Sequence, residues 1–472
     1  MVKYNHETYQ DSIVRDLCEL IAVPSVNDDN PKPGMPFGEG VHKGFQWVKE
    51  KASELQFKVT EFDGYALQID IGSGERVIGM LCHVDVVPGG EGWETDPFEA
   101  VTKNGLIYGR GTVDDKGPLV CCLYAAKYMQ ENGLIPADSR LRIIVGGDEE
   151  REWKDIAYYC KHAEPPEISF AADGKFPLVF GEKGLIDFDY IWNLKRKTDA
   201  PIRLEKLSGG MARNSVPAGA DFVLRTKRSI DVAERISRAG AEMGYDIQVN
   251  TDEDSVTGHV VGLGCHAMVP ERGINAVSRA IRLLAVLGEE LDCSSFVASY
   301  ERFIGDDYTG KRMGCDCCDE ESGALTFNPG RMELKGDVIQ LLAGIRYPVS
   351  EKYDTFVIHI EAVAKEMNCR CKIINHMDPI YFKRDDAVVV LLEKAYREVT
   401  GDRINQPFTV GAATFARTMP NTVAFGPIFP EQEEMSHLPN EFISIEDLNK
   451  TTEIYINALY NLITCNAQKM RK

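Results

Sequence analysis

Positive charge is in short supply in this chain: 53 Lys and Arg stand against 73 Asp and Glu, giving a net charge of −20 over 472 residues. Such a surface repels phosphate backbones and anionic lipid headgroups, so nucleic-acid and membrane partners are not expected. Long apolar runs are also missing. No span of about 18 apolar residues occurs, and His6, Glu7, Asp11, Arg15, Asp16 and Glu19 interrupt the N-terminal stretch where a secretory leader would be apolar. A cytoplasmic location is expected. Paired Cys/His ligands at zinc-ribbon spacing are absent as well. The 13 cysteines, an odd count, therefore read as free thiols, and Cys315, Cys317 and Cys318 as a reduced surface loop. Histidine is scarce too, with nine in the whole chain, so each one beside carboxylates carries weight.

What is present is an alternation of helix and strand signals. Asp11–Ile21, Gly44–Leu55 and Leu119–Glu131 read as helices, and Phe57–Glu61, Val77–Leu81 and Leu141–Val145 as buried strands. This pattern predicts an α/β fold with a mostly parallel sheet flanked by helices. Residues 185–382 have a different texture. Two stretches there repeat the order strand, helix, strand: Asp221–Arg225, Val232–Met243 and Asp246–Asn250, then Gln340–Arg346, Lys352–Met367 and Arg370–Ile374. The expected organisation is a discontinuous catalytic domain, 1–184 and 383–472, interrupted by an inserted α+β domain, 185–382, of two similar subdomains.

Five motifs carry chemistry. His83 and Asp85, two apart on an extended segment, share a face, so that Asp85 could orient a metal-binding imidazole. Asp114 and Asp115 stand between glycines in Gly109–Gly117, where a carboxylate could approach an ion closely. Asp148, Glu149 and Glu150 follow an apolar strand, and three acids there are costly unless something positive sits among them. One glutamate could ligate an ion while the other acts as general base on a water. Asp173 ends another strand, and His437 lies in Ser436–Glu441. Imidazoles with carboxylates suit zinc, manganese or cobalt better than a thiolate-type site.

In order and spacing these motifs resemble the dinuclear zinc peptidase family of aminoacylases, carboxypeptidase G, succinyl-diaminopimelate desuccinylase and carnosinase, with its bacterial dipeptidase V branch the nearest match. The resemblance implies that His83 and Asp173 bind one of two divalent ions, Glu150 and His437 the other, and that Asp114 bridges them through a cis Asp114–Asp115 peptide. It implies Glu149 as the general base and Asp85 as the orienter of His83. It also implies Asn214 and His266 as lid residues on the substrate carbonyl, Arg346 as the clamp on a C-terminal carboxylate, and Gly411 with Thr414 in the loop completing that pocket.

Three departures from the family pattern bear on substrate fit rather than on ligands: Cys82 before the histidine, Ala267 and Met268 after His266, and Ala412 with Ala413 in the loop. The implied activity is hydrolysis of dipeptides or short peptides. The alternatives are an acylase or carboxypeptidase acting on N-acylated amino acids, and a silent binding protein on the same fold. A doubled insert, where smaller relatives dimerise through a single one, implies a monomer.

Overall fold

Strand Arg76–His83 is buried along nearly its whole length, as expected of a strand covered on both faces. Its neighbours explain why. In the computed structural model, which describes residues 1–28 and 30–465, it pairs in parallel with Ser139–Gly146 on one side and Ile168–Ala171 on the other. Thr422–Ala424 continues the parallel run beyond Ile168–Ala171. Lys58–Phe62 and Ala66–Gly72 close one edge as an antiparallel hairpin, and Val179–Glu182 followed by Ile380–Tyr381 closes the other, also antiparallel. The sheet thus has a parallel centre and antiparallel rims.

The helices pack where their apolar stripes dictate. Helix Lys116–Glu131 is apolar almost all round and is correspondingly buried, packed between Gln10–Ile21 and Ile445–Thr464. Helix Glu39–Glu54 begins earlier than the expected Gly44, because Val41 opens the same stripe that Phe45, Val48 and Ala52 continue. Residues 466–472, the end of the second expected catalytic segment, lie outside the described residues.

The chain divides into two compact units: Met1–Phe180 with Phe382–Phe408 and Ala413–Lys472, and Gly181–Tyr381 with Thr409–Ala412. The four-residue return to the second unit has a local cause. Lys183 N donates to Val410 O at 2.8 Å, Thr409 Oγ1 to Glu321 O at 2.8 Å, and a Cβ on Gly411 would lie 2.9 Å from Met268 Cβ.

The second unit is one eight-stranded antiparallel sheet in the order Ile247–Thr251, Ser255–Val261, Gly219–Arg225, Arg203–Gly209, Thr326–Lys335, Val338–Tyr347, Gly184–Asn193, Arg370–Met377. Helices Ser229–Met243, Ala276–Ala285, Ser294–Phe303 and Tyr353–Glu366 share its single core. The two repeats form the two ends of this sheet. At each end a strand–helix–strand unit flanks a third strand, Ser255–Val261 at one and Gly184–Asn193 at the other.

All 13 cysteines are unbridged. Cys82, Cys121 and Cys122 belong to the first unit's core, and Cys293 and Cys315 to the second's. The surface-loop reading of the cysteine cluster is therefore corrected for Cys315, which is buried against apolar neighbours, while Cys318 is exposed.

Candidate metal centre

Three adjacent parallel strands deliver the acids and one imidazole. His83 ends Arg76–His83, Glu149 and Glu150 follow Ser139–Gly146, and Asp173 follows Ile168–Ala171. Pairing of His83 with Gly146, and of Leu81 with Ala171, sets these strand ends level, at the carboxyl edge where open α/β sheets collect ligands. The turn after Gly146 is tight because a Cβ there would come within 2.2 Å of Asp155 Oδ2.

Two donor groups result: His83, Glu149 and Asp173, and Asp114, Glu150 and His437, the donor atoms within each lying within 4.8 Å of one another. Asp114 touches both, with Oδ1 3.1 Å from His83 Nε2 and Oδ2 3.1 Å from His437 Nε2. His437 Nε2 is also 3.0 Å from Glu150. The Asp114–Asp115 peptide is cis.

Partners of the other polar atoms position this set. His83 Nδ1 lies 3.0 Å from the Asp85 backbone carbonyl and 3.4 Å from its carboxylate. The backbone oxygen is thus the nearer partner of the ring, with the carboxylate beside it. The Asp85 carboxylate also accepts from Glu149 N at 3.2 Å and Glu150 N at 3.1 Å. Asp155, unremarked in the sequence, accepts from Gly147 N and Asp148 N at 2.7 and 2.9 Å. Asp115 accepts from His83 N at 3.0 Å. Glu441 and Arg110 were also passed over; they form a buried pair at 2.7 Å. An arginine and a glutamate of opposite charge within two glycine- and proline-rich motif loops were the available signal.

Crowding shifts these groups strongly. Burial first, and then the charge of Asp114, pushes the Asp173 carboxyl up to about 8. Burial and Asp173 push Glu149 well above the usual carboxylate range. Burial alone would raise Asp114, but the hydrogen bonds of His437 and His83 carry it well below that range. Burial opposes charge on His437, yet Asp114 and Glu150 hold its imidazole up at about 12.

The residues present fit a pair of divalent cations. Each group offers one imidazole and two carboxylates, a borderline-to-hard set. Buried Glu149 Oε1 lacks a hydrogen-bond partner, as an atom awaiting an ion or a water would, and His83 Nε2 faces only the carboxylates of Asp114 and Asp173.

The remaining expected site residues fall as follows. Asn214, His266, Arg346 and Gly411 lie in the second unit and Thr414 in the first. Asn214 and His266 are neighbours: Ala267 N donates to Asn214 O at 2.9 Å, and Ser215 bridges to His266. Arg346 is buried on strand Val338–Tyr347, its Nη1 3.6 Å from Asp187 Oδ1. Thr414 Oγ1 accepts from Ala416 N at 3.2 Å, capping the turn Phe415–Thr418.

Imidazoles and acids gathered at parallel strand ends, in a chain that also holds an antiparallel α+β unit, suit a metal-dependent hydrolase. The chain belongs to Peptidase family M20/M25/M40, which matches residues 79–461. It is 35% identical over 463 residues to a Bacillus subtilis (strain 168) protein named "Putative dipeptidase YtjP", covering 96% of this chain and 97% of that one. Two solved structures share the fold. One is an M20 metallo-carboxypeptidase, Sso-CP2, of Sulfolobus solfataricus, with a TM-score of 0.58, 17% identity and 96% and 100% of the two chains covered. The other is the di-peptidase Dug1p of Saccharomyces cerevisiae, with a TM-score of 0.59, 14% identity and 98% and 97% covered. No described helix is long and apolar enough to cross a membrane.

Proposed function

We propose that this peptidase hydrolyses dipeptides or similarly short peptides bearing a free C-terminal carboxylate. The observation that carries the reading is Asp114, whose two carboxylate oxygens each face a different imidazole while Oε1 of Glu149 is left without a hydrogen-bond partner.

His83 and Asp173 would hold one divalent cation, Glu150 and His437 the other, with Asp114 shared; zinc is the first choice, manganese and cobalt the alternatives. When bound, such ions supply Lewis-acid charge to a carbonyl and lower the pKa of water. Glu149 takes the proton of the attacking water and returns it to the leaving amine. We assign it proton transfer rather than ligation because His83, Asp173 and Asp114 already supply three donors. Asp85 fixes the Glu149–Glu150 turn through two amides.

Asn214 and His266 donate to the oxygen that gains charge. Arg346 pairs with the substrate carboxylate, where a planar fork serves better than an ammonium. Support for a dipeptide substrate comes from the name and near-full-length similarity of the Bacillus relative. The doubled insert supports a monomer, which sedimentation velocity would test.

The deciding experiment combines metal analysis of the purified protein with hydrolysis of free, C-terminally amidated and N-acylated dipeptides. Two equivalents of metal and a preference for free dipeptides support the proposal. Equal turnover of amidated peptides would overturn the carboxylate requirement, and preference for N-acylated substrates would make the enzyme an acylase.

A further inference from the structure

Glu441 is fully buried, and its carboxylate is packed into the loop that carries Asp114. It accepts from Gly111 N at 3.1 Å, Val113 N at 2.9 Å, Thr112 Oγ1 at 3.3 Å and Asp114 N at 3.4 Å. Its ion-pair partner Arg110, 2% exposed, turns the other way. Arg110 Nη2 donates to His437 O at 3.3 Å and Nη1 to Leu438 O at 3.2 Å, while Nη2 also reaches Gly89 O at 3.3 Å. The backbone of Gly109 closes the loop, donating to Glu441 O at 2.9 Å.

A buried ion pair is weak evidence for stability, because desolvating both charges offsets their attraction. This one instead joins two segments 331 residues apart at the two places where each presents a donor. His437 itself has φ 67°, a conformation costly for a non-glycine residue that persists only when its surroundings fix it. Arg110, bonded to the His437 carbonyl, is part of what fixes it.

From this geometry we infer that Arg110 and Glu441 are positioning residues for the candidate pair of cations, Glu441 through the loop of Asp114 and Arg110 through the segment of His437. Both segments they brace, those of Asp114 and His437, contribute to the group completed by Glu150. None of His83, Glu149 and Asp173 receives a hydrogen bond from the pair among the described contacts. Asp114 Oδ1 nevertheless lies 3.1 Å from His83 Nε2, so the Asp114 loop serves both groups and the His437 segment only one. The inference rests on the two-ion reading above.

Its test is a zinc titration against a competing chelator on the wild type, Glu441→Gln and Arg110→Lys, with thermal melting of each metal-free protein. Lysine keeps the charge against Glu441 but cannot also serve His437 and Leu438, so Arg110→Lys keeps the test alive if Glu441→Gln does not fold. Wild type should bind two ions. In Arg110→Lys the ion held with His437 should weaken by about 10- to 100-fold, the range for loss of a group that supports ligands, while the other stays within about threefold. In Glu441→Gln, which loosens the shared Asp114, both should weaken. Melting of the metal-free proteins separates loss of stability from loss of an ion.

Equal weakening of both ions in Arg110→Lys, a loss confined to one ion in Glu441→Gln, or weakening of neither overturns the inference. A metal-free melting temperature that falls while both affinities hold also overturns it, showing a merely structural pair. A wild type that binds no second ion overturns the two-ion reading itself, and this inference with it.

Discussion

The carboxylate of Asp85 accepts the backbone amides of Glu149 and Glu150 at 3.2 and 3.1 Å, so a residue at one strand end fixes the turn at the end of the next. Neutralising it should loosen both glutamates at once. Asp85→Asn keeps the volume but can present only one acceptor oxygen, and metal affinity should fall about 10- to 100-fold. Calorimetric zinc titration checks this. Unchanged affinity would mean the turn is held by Asp155 alone.

Glu149→Gln should lower kcat by at least about 10² and up to about 10⁴, the contribution of a positioned general base. Metal content, measured by elemental analysis, should stay at the wild-type value. A variant that loses an ion instead would identify Glu149 as a ligand, the role its closeness to His83 and Asp173 would also allow.

Removing metal should both silence and destabilise the enzyme. Six acids, Asp85, Asp114, Asp115, Glu149, Glu150 and Asp173, crowd around two imidazoles, and cations relieve that repulsion in the folded state only. At a free-metal concentration 100 times the dissociation constant, each ion should add about 2.7 kcal/mol. Chelator dialysis, followed by urea unfolding with and without added zinc, measures it. A metal-free protein as stable as the loaded one would contradict the prediction.

Stability should also carry a pH signature from Asp155. Its carboxyl titrates near 3.8 when unfolded and near about 7 when folded, raised by burial first and the charge of Asp85 second. The folded chain therefore holds the extra proton between those values. The stability this group contributes is full below about pH 4, is lost as pH rises to about 7, and is flat above. Asp155→Asn removes the slope. Urea unfolding of both metal-free proteins from pH 5 to 8 should show wild type losing ground to the variant by up to a few kcal/mol as pH rises to 7. A constant difference across the range would refute it.

The residues easiest to read from sequence were those following apolar strands. His83, Glu149, Glu150 and Asp173 each sit where a buried run ends, a local pattern that predicts a strand terminus facing solvent or ligand. The parallel centre of the sheet was legible for the same reason. The pairing of Arg110 with Glu441 was not, because ions 331 residues apart leave no periodic trace. Asp155 looked like an ordinary first-turn acid of helix Lys154–His162, and only the fold turns it toward Gly147 and Asp148. The alternation of His83 and Asp85 gave the right neighbours, but not that the Asp85 backbone oxygen would lie nearer the ring than its carboxylate, since direction beyond a strand end depends on the turn. The excursion at Thr409–Ala412 was hidden too, being set by pairing to Lys183 and Glu321 rather than by composition.

Five thiols are shut inside the two cores, Cys82, Cys121 and Cys122 in one and Cys293 and Cys315 in the other, and burial holds all of them above the ordinary thiol range. Protonated and shielded, they are inert to alkylating reagents until their surroundings open. They therefore work as native timers. In a pulse of iodoacetamide during gentle denaturation, the order in which the two sets gain mass tells which half of the molecule gives way first, with no label introduced.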